Sequence, residues 1–101
     1  MGFIVTVRGT LKSADEQAAR KAHDSAAGQV RTLGKTLGNL HHQPYLNPEN
    51  PREFFDVDVW NDDQAGLKKF FSDPGMAKAM GELFEGMPEI KVFEDKGWLS
   101  W

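Results

Sequence analysis

The alternation of apolar and polar positions divides the chain into four strands and an intervening set of helices. Over Phe3–Leu11, Phe3, Val5 and Val7 fall on one parity and Ile4, Thr6 and Arg8 on the other. That period of two predicts a first strand. The period then lengthens: Ala14, Ala18, Ala22, Ala26, Val30 and Leu33 recur at helical spacing. Ser13-Ala-Asp-Glu16 has the order of a capping box, and Gly34 is the expected stop. A stripe made mostly of Ala lets this helix lie close to its support. Leu37–Leu46 predicts a second strand, and Pro44 places it at an edge, because Pro has no N–H for a central ladder. Asn47–Pro51 reads as a turn and Glu53–Trp60 as the third strand. Asn61 with Gln64 predicts a cap for a helix over Asp62–Ser72. Asp73-Pro74 breaks it and opens another helical segment, carrying Met76, Met80 and Phe84 and ending at Gly86. Glu89–Glu94 predicts the fourth strand, followed by a tail containing Trp98 and Trp101.

Taken in order, these elements give β-α-β-β-α-β. The fold class expected is α+β, ferredoxin-like: a four-stranded antiparallel sheet with helices on one face, in one domain over residues 1–101. The first and third strands are expected at the centre, as parallel neighbours. Bulky groups occupy both parities of several strands: Phe3 and Ile4, Phe54 and Phe55, Val92 and Phe93. A second sheet face this apolar is expected to be covered by another copy, so the chain is expected to form a homodimer, a dimeric α+β barrel.

The third strand carries the chemical question. Asp56 and Asp58 interrupt a run that is otherwise Phe54, Phe55, Val57, Val59 and Trp60. The two acids share a strand face with Phe54 and Trp60, a face too apolar for plain solvent and too acidic to be dry without a cation. Arg8, on the neighbouring first strand, is the expected partner of Asp58. His41 and His42 are adjacent, so they point to opposite faces of the second strand, and one of them joins the acids. His is the side chain that titrates near neutrality unperturbed, which makes His41 or His42 the general-base candidate. A metal would want more such ligands than this strand pair offers, and none is expected.

Composition narrows the classes. The chain has 101 residues, 40% hydrophobic and 27% charged, as a globular fold requires. Its formal net charge of −3 gives no electrostatic footprint for nucleic acid. With no cysteine, thiol catalysis, disulfides and cysteine-ligated metal centres are excluded. No apolar run approaches the roughly 18 residues of a membrane span, and a cytoplasmic location is the default expectation. There is no nucleotide fingerprint.

The segment FFDVDVWNDDQAGLKKFFSDPGM, with the strand order and length, resembles the antibiotic biosynthesis monooxygenase-like family. Its most specific piece is an acid two residues before a Trp (Asp58, Trp60), then a short polar cap, Asn61-Asp62-Asp63, and a helix from Gln64. The resemblance implies a dimeric α+β barrel with a pocket between sheet and helices in each subunit. It also implies a cofactor-independent monooxygenase-like activity on a small hydrophobic, aromatic or polyketide-like molecule. An electron-rich substrate of that kind can itself reduce oxygen, so no cofactor is needed. On this reading His41, His42 and Asp58 are the catalytic candidates. Trp60, Phe70, Phe71, Met80 and Phe84 form the substrate walls, with Arg8 at the rim. The chain departs from haem-degrading members: FIVTVRG has no Asn, and residues 68–80 have neither Trp nor His. The alternative is a non-catalytic protein of the same fold that binds a small ligand or a partner.

Overall fold

A computed structural model describes residues 2–101. Seven elements follow in the order β1 (Phe3–Thr10), α1 (Glu16–Leu37), β2 (Asn39–Asn47), β3 (Asn50–Trp60), α2 (Gln64–Phe71), α3 (Pro74–Leu83) and β4 (Glu89–Glu94). The strands form one sheet in the order β2-β3-β1-β4, so β2 takes the edge that Pro44 indicates. Every pairing is antiparallel, including β1 with β3. The expected parallel neighbours are thereby corrected. The α1 crossover makes β2 run parallel to β1, and the hairpin after β2 then reverses β3 before it inserts between them.

The helix boundaries follow their caps. Asp15, not Ser13, caps α1: its carboxylate accepts from the Ala18 amide, while Ser13 Oγ only accepts from the Asp15 amide. The stripe buried by α1 is Ala19, Ala26, Val30 and Gly34, so Ala14, Ala18 and Ala22 face water. Gly34 lies inside the helix, where a Cβ would stand 3.2 Å from the Phe70 ring. The helix ends instead at Gly38, whose φ of 124° is open to glycine. Asp63 caps α2 by accepting from the Gly66 amide, and Asn61 holds the turn before it. Asp73, with Pro74 behind it, caps α3.

The helices cover one side of β3 and β1. Val5 and Val7 of β1, Phe54 and Trp60 of β3, and Leu67, Phe70, Leu83 and Phe84 from the α2–α3 region make the core. Trp60, 1% exposed, packs on Phe70 and Phe71 with ring centroids 5.3 and 6.4 Å away. All of β4 is exposed, and so are Trp98, Leu99 and Trp101 in the tail. Among the described residues no helix is long and apolar enough to cross a membrane.

Candidate functional site

The alternation along β3 sends Phe54, Asp56, Asp58 and Trp60 to the helix side, each no more than 6% exposed. In register they lie opposite Gly9, Val7, Val5 and Phe3 of β1. Arg8 belongs to the other parity, opposite Phe55, so it cannot reach Asp58. It pairs on the open face with Glu53, at 2.5 Å. The expected Arg8–Asp58 pair is therefore absent, and Arg8 is not at the rim of the site.

The side chain facing the acids is His42. The β2–β3 ladder begins with Asn39 opposite Trp60, but a register shift follows before His41. Without that extra residue His41 would stand opposite Asp58. With it, His42 does, and His41 moves opposite Val59 and is exposed. His42 Nδ1 lies 2.5 Å from Asp58 Oδ1 and 3.7 Å from Asp56 Oδ2. The hydrogen bond to Asp58, with the charges of Asp58 and Asp56, raises the His42 pKa above its ordinary value against the opposing effect of burial. Asp56 is pushed up to about 8, first by burial and then by the charge of Asp58. Its Oδ1 is buried without a hydrogen-bond partner among the described residues. Two neighbouring carboxyls are thus split in character: one accepts from an imidazole, the other keeps its proton near neutrality.

His23, on α1, is the residue that periodicity did not reveal. Its Nε2 is 2.9 Å from His42 Nε2 and its Nδ1 is 2.9 Å from Asp24 Oδ1. The ring also leans on Phe54, with centroids 5.7 Å apart. A His on an exposed-looking helix carries no signal by itself; only the fold brings it over β2.

These groups close one end of a cavity of about 580 Å³ between α1, the sheet and α3. Phe70, Met80 and Phe84 line it, joined by Val30, Met76 and Leu83. Trp60 and Phe71 do not: they are packed against one another and Phe70 as core. The small residues Ala26, Ala27 and Gly28 of α1 leave the volume that larger side chains would fill. Gly9 has a related role, since a Cβ there would stand 2.6 Å from the Phe84 ring, which lies over it and over Phe54.

His42 Nδ1 and one oxygen from each of Asp56 and Asp58 lie within 4.8 Å of one another. Two donors to one ion at ~2.0–2.2 Å and ordinary bond angles stand ~2.9–3.5 Å apart. The His42–Asp58 contact of 2.5 Å is a hydrogen-bond contact. The arrangement can therefore accept a proton at the imidazole, hold it beside a carboxylate and return one from Asp56.

The split βαβ sheet with its helices on one face is a fold that solved structures share. The chain has the fold of the antibiotic biosynthesis monooxygenase-like proteins. It is similar to SnoaB, described as a cofactor-independent oxygenase, from Streptomyces nogalater: 17% identity over 97% of this chain and 96% of that one, TM-score 0.70. It is likewise similar to a putative antibiotic biosynthesis monooxygenase from Nitrosomonas europaea, with 8% identity, coverage of 98% and 94%, and TM-score 0.70. Rv0793 from Mycobacterium tuberculosis superposes over 99% of this chain and all of its own length, 100%, at 16% identity and TM-score 0.68. No family model and no curated protein matches the sequence.

Proposed function

We propose that the protein is a cofactor-independent oxygenase of the antibiotic biosynthesis monooxygenase-like family, acting on a small, flat, electron-rich aromatic molecule bound in the cavity. The observation that carries this reading is the half-buried His42–Asp58 pair, with a proton-holding Asp56 beside it, at the end of an otherwise apolar cavity. Fold likeness to a cofactor-independent oxygenase supports it.

The chemistry balances with these residues alone. The His42–Asp58 pair takes a proton from an activated CH₂ group. The carbanion passes an electron to O₂, and the two radicals combine into a C–O bond. Asp56 protonates the resulting peroxide. Loss of the second C–H proton to the pair breaks the O–O bond and leaves a ketone, and the departing hydroxide is protonated to water. Two protons are taken and two returned. The substrate gives four electrons and O₂ receives four. The apolar walls exclude bulk water from the carbanion.

The acting form is a homodimer on this reading. Ile4, Phe55 and Phe93 are exposed on the uncovered face, and Trp98, Leu99 and Trp101 are exposed beside β4. A second copy would cover both.

Oxygen uptake with a dihydroxyanthrone as probe tests the proposal. Uptake proportional to protein and lost in His42→Ala is the expected result. Uptake no faster than the uncatalysed background would sink it. A second reading, ligand binding without turnover, draws on one observation: both nitrogens of His42 are already hydrogen-bonded, to Asp58 and to His23. Saturable quenching of tryptophan fluorescence by the probe without oxygen uptake would favour that reading.

A further inference from the structure

Asp58, His42, His23 and Asp24 form one hydrogen-bonded line from the cavity to the surface. Its links are 2.5 Å from Asp58 Oδ1 to His42 Nδ1, 2.9 Å between the two Nε2 atoms, and 2.9 Å from His23 Nδ1 to Asp24 Oδ1. It starts at a residue 6% exposed and ends at a side chain 61% exposed. The two rings are within 7° of parallel with centroids 5.1 Å apart. With their nitrogens in contact at that spacing, they meet edge to edge, not face to face, and their Nε2 lone-pair directions converge.

With both carboxylates as acceptors, the protons along the line can be counted. An ionised carboxylate only accepts, so each ring nitrogen facing one carries a proton. That assigns N–H to Nδ1 of His42 and Nδ1 of His23 and leaves both Nε2 atoms as acceptors. Two bare acceptors 2.9 Å apart repel, so a third proton lies between them. The line holds three protons on four nitrogens, and moving the middle one by a bond length changes which ring is charged.

We propose that this line is a proton wire, in which the middle proton leaves through His23 and Asp24 to water and so frees His42 Nε2 for the proton of the substrate. The proposal rests on reading His42–Asp58 as the proton acceptor and adds to it a way to reset the pair after each turnover. His23 is placed for the task. It borders the cavity on one side and, on the other, a second hollow lined by Leu11, Glu16, Arg20 and Tyr45. The groups that set the direction of transfer are few. Asp56 faces His42 from β3, Arg20 lies 3.7 Å from Asp24 on α1, and Arg31 and Lys35 lie further along α1 on the cavity. From α2 and α3 the cavity receives only apolar groups, Phe70, Met76, Ala79, Met80 and Leu83. The hydrogen bond from His23 also lowers the pKa of Asp24, which keeps the outer end anionic.

Nitrogen NMR of histidine-labelled protein tests the wire without any substrate. The Nε2 signals of both rings should lie between the protonated and bare positions near neutral pH, and in His23→Phe the His42 Nε2 signal should move to the bare position. Bare signals for both rings in the native protein would overturn the wire. With dihydroxyanthrone, His23→Ala should lose about tenfold or more in turnover, and free imidazole added to the buffer should restore it, which a merely structural loss would not allow. Unchanged turnover in a folded His23→Ala protein also overturns the wire, while leaving His42 as the acceptor. If the native protein takes up no oxygen, the oxygenase reading has failed, and the nitrogen signals alone decide the wire.

Discussion

The two faces of β3 are built in opposite senses from the same alternating strand. Toward the helices, where hydrocarbon is expected, lie Asp56 and Asp58. Away from them, where water is expected, lie Phe55, Val57 and Val59. Each inversion has its own cost. Buried carboxyls need a partner or a proton, and here they have His42 and a raised Asp56 pKa. Exposed aromatic and branched groups need a cover, which the helices do not provide on that side. The comparison teaches that one strand can invert polarity against burial twice, once under the helices and once on the open face.

The largest expected effect lies on the covered face. His42→Ala and Asp58→Asn should each lower oxygen uptake by about 10²–10⁴-fold, the range for loss of a general base. Arg8→Ala, on the open face, should leave uptake unchanged. Equal losses in all three would erase the distinction between the faces.

Next comes association. Phe55→Lys should convert the dimer to an 11.3 kDa monomer at micromolar concentration, read by sedimentation. Removing residues 97–101 should weaken the dimer by about tenfold or more, since burying one large apolar side chain contributes ~1.5–3 kcal/mol. Native protein that sediments as a monomer would leave the open face unexplained.

A smaller effect concerns pH. Asp56 binds its proton more tightly folded than unfolded, so its contribution is complete below the ordinary carboxylate range and drains as pH climbs toward about 8. His42 acts in the same sense: its share is full below the ordinary imidazole range and lost as pH rises through its raised folded value. Urea unfolding should therefore show stability falling from pH 5 to pH 9. Asp56→Asn should remove most of that slope and stabilise the protein at alkaline pH by roughly 1–3 kcal/mol, the cost of an uncompensated buried polar group. A slope that survives the substitution would place the cause elsewhere.

The smallest effect is Arg8→Ala measured as stability. The Arg8–Glu53 pair is largely in water, with Arg8 60% exposed, and its loss should leave the urea unfolding midpoint nearly unchanged.

Much of this fold was legible because alternation and caps are local. β4 falls on Glu89–Glu94 as the period of two indicates, and Asp73-Pro74 opens α3 where Pro at the first helical turn predicts. The α1 boundaries were misread because Ser13 and Asp15 are both good caps, and because Gly34 serves packing on Phe70 instead of termination. For the site, the shared face of Asp56, Asp58 and Trp60 was legible, and their partner was not. Arg8 looked near in the sheet, but register put it on the wrong parity. The choice between His41 and His42 depends on one extra residue near Leu40, a bulge that hydrophobic pattern does not encode. His23 depends on where a 22-residue helix crosses the sheet, a tertiary fact.

Gly9 carries a consequence for how such a molecule can diversify. Its missing side chain is what lets Phe84 sit low over the sheet. Any larger residue there would have to displace that ring, which lines the cavity, while His42, Asp56 and Asp58 belong to other strands. On the proposed function, bore and reactivity would then be set by different residues. A lineage could retune which molecules enter through position 9 and keep the proton chemistry constant, and Gly9→Ala, compared with the native chain for affinity across a series of ring sizes, would show the two traits parting.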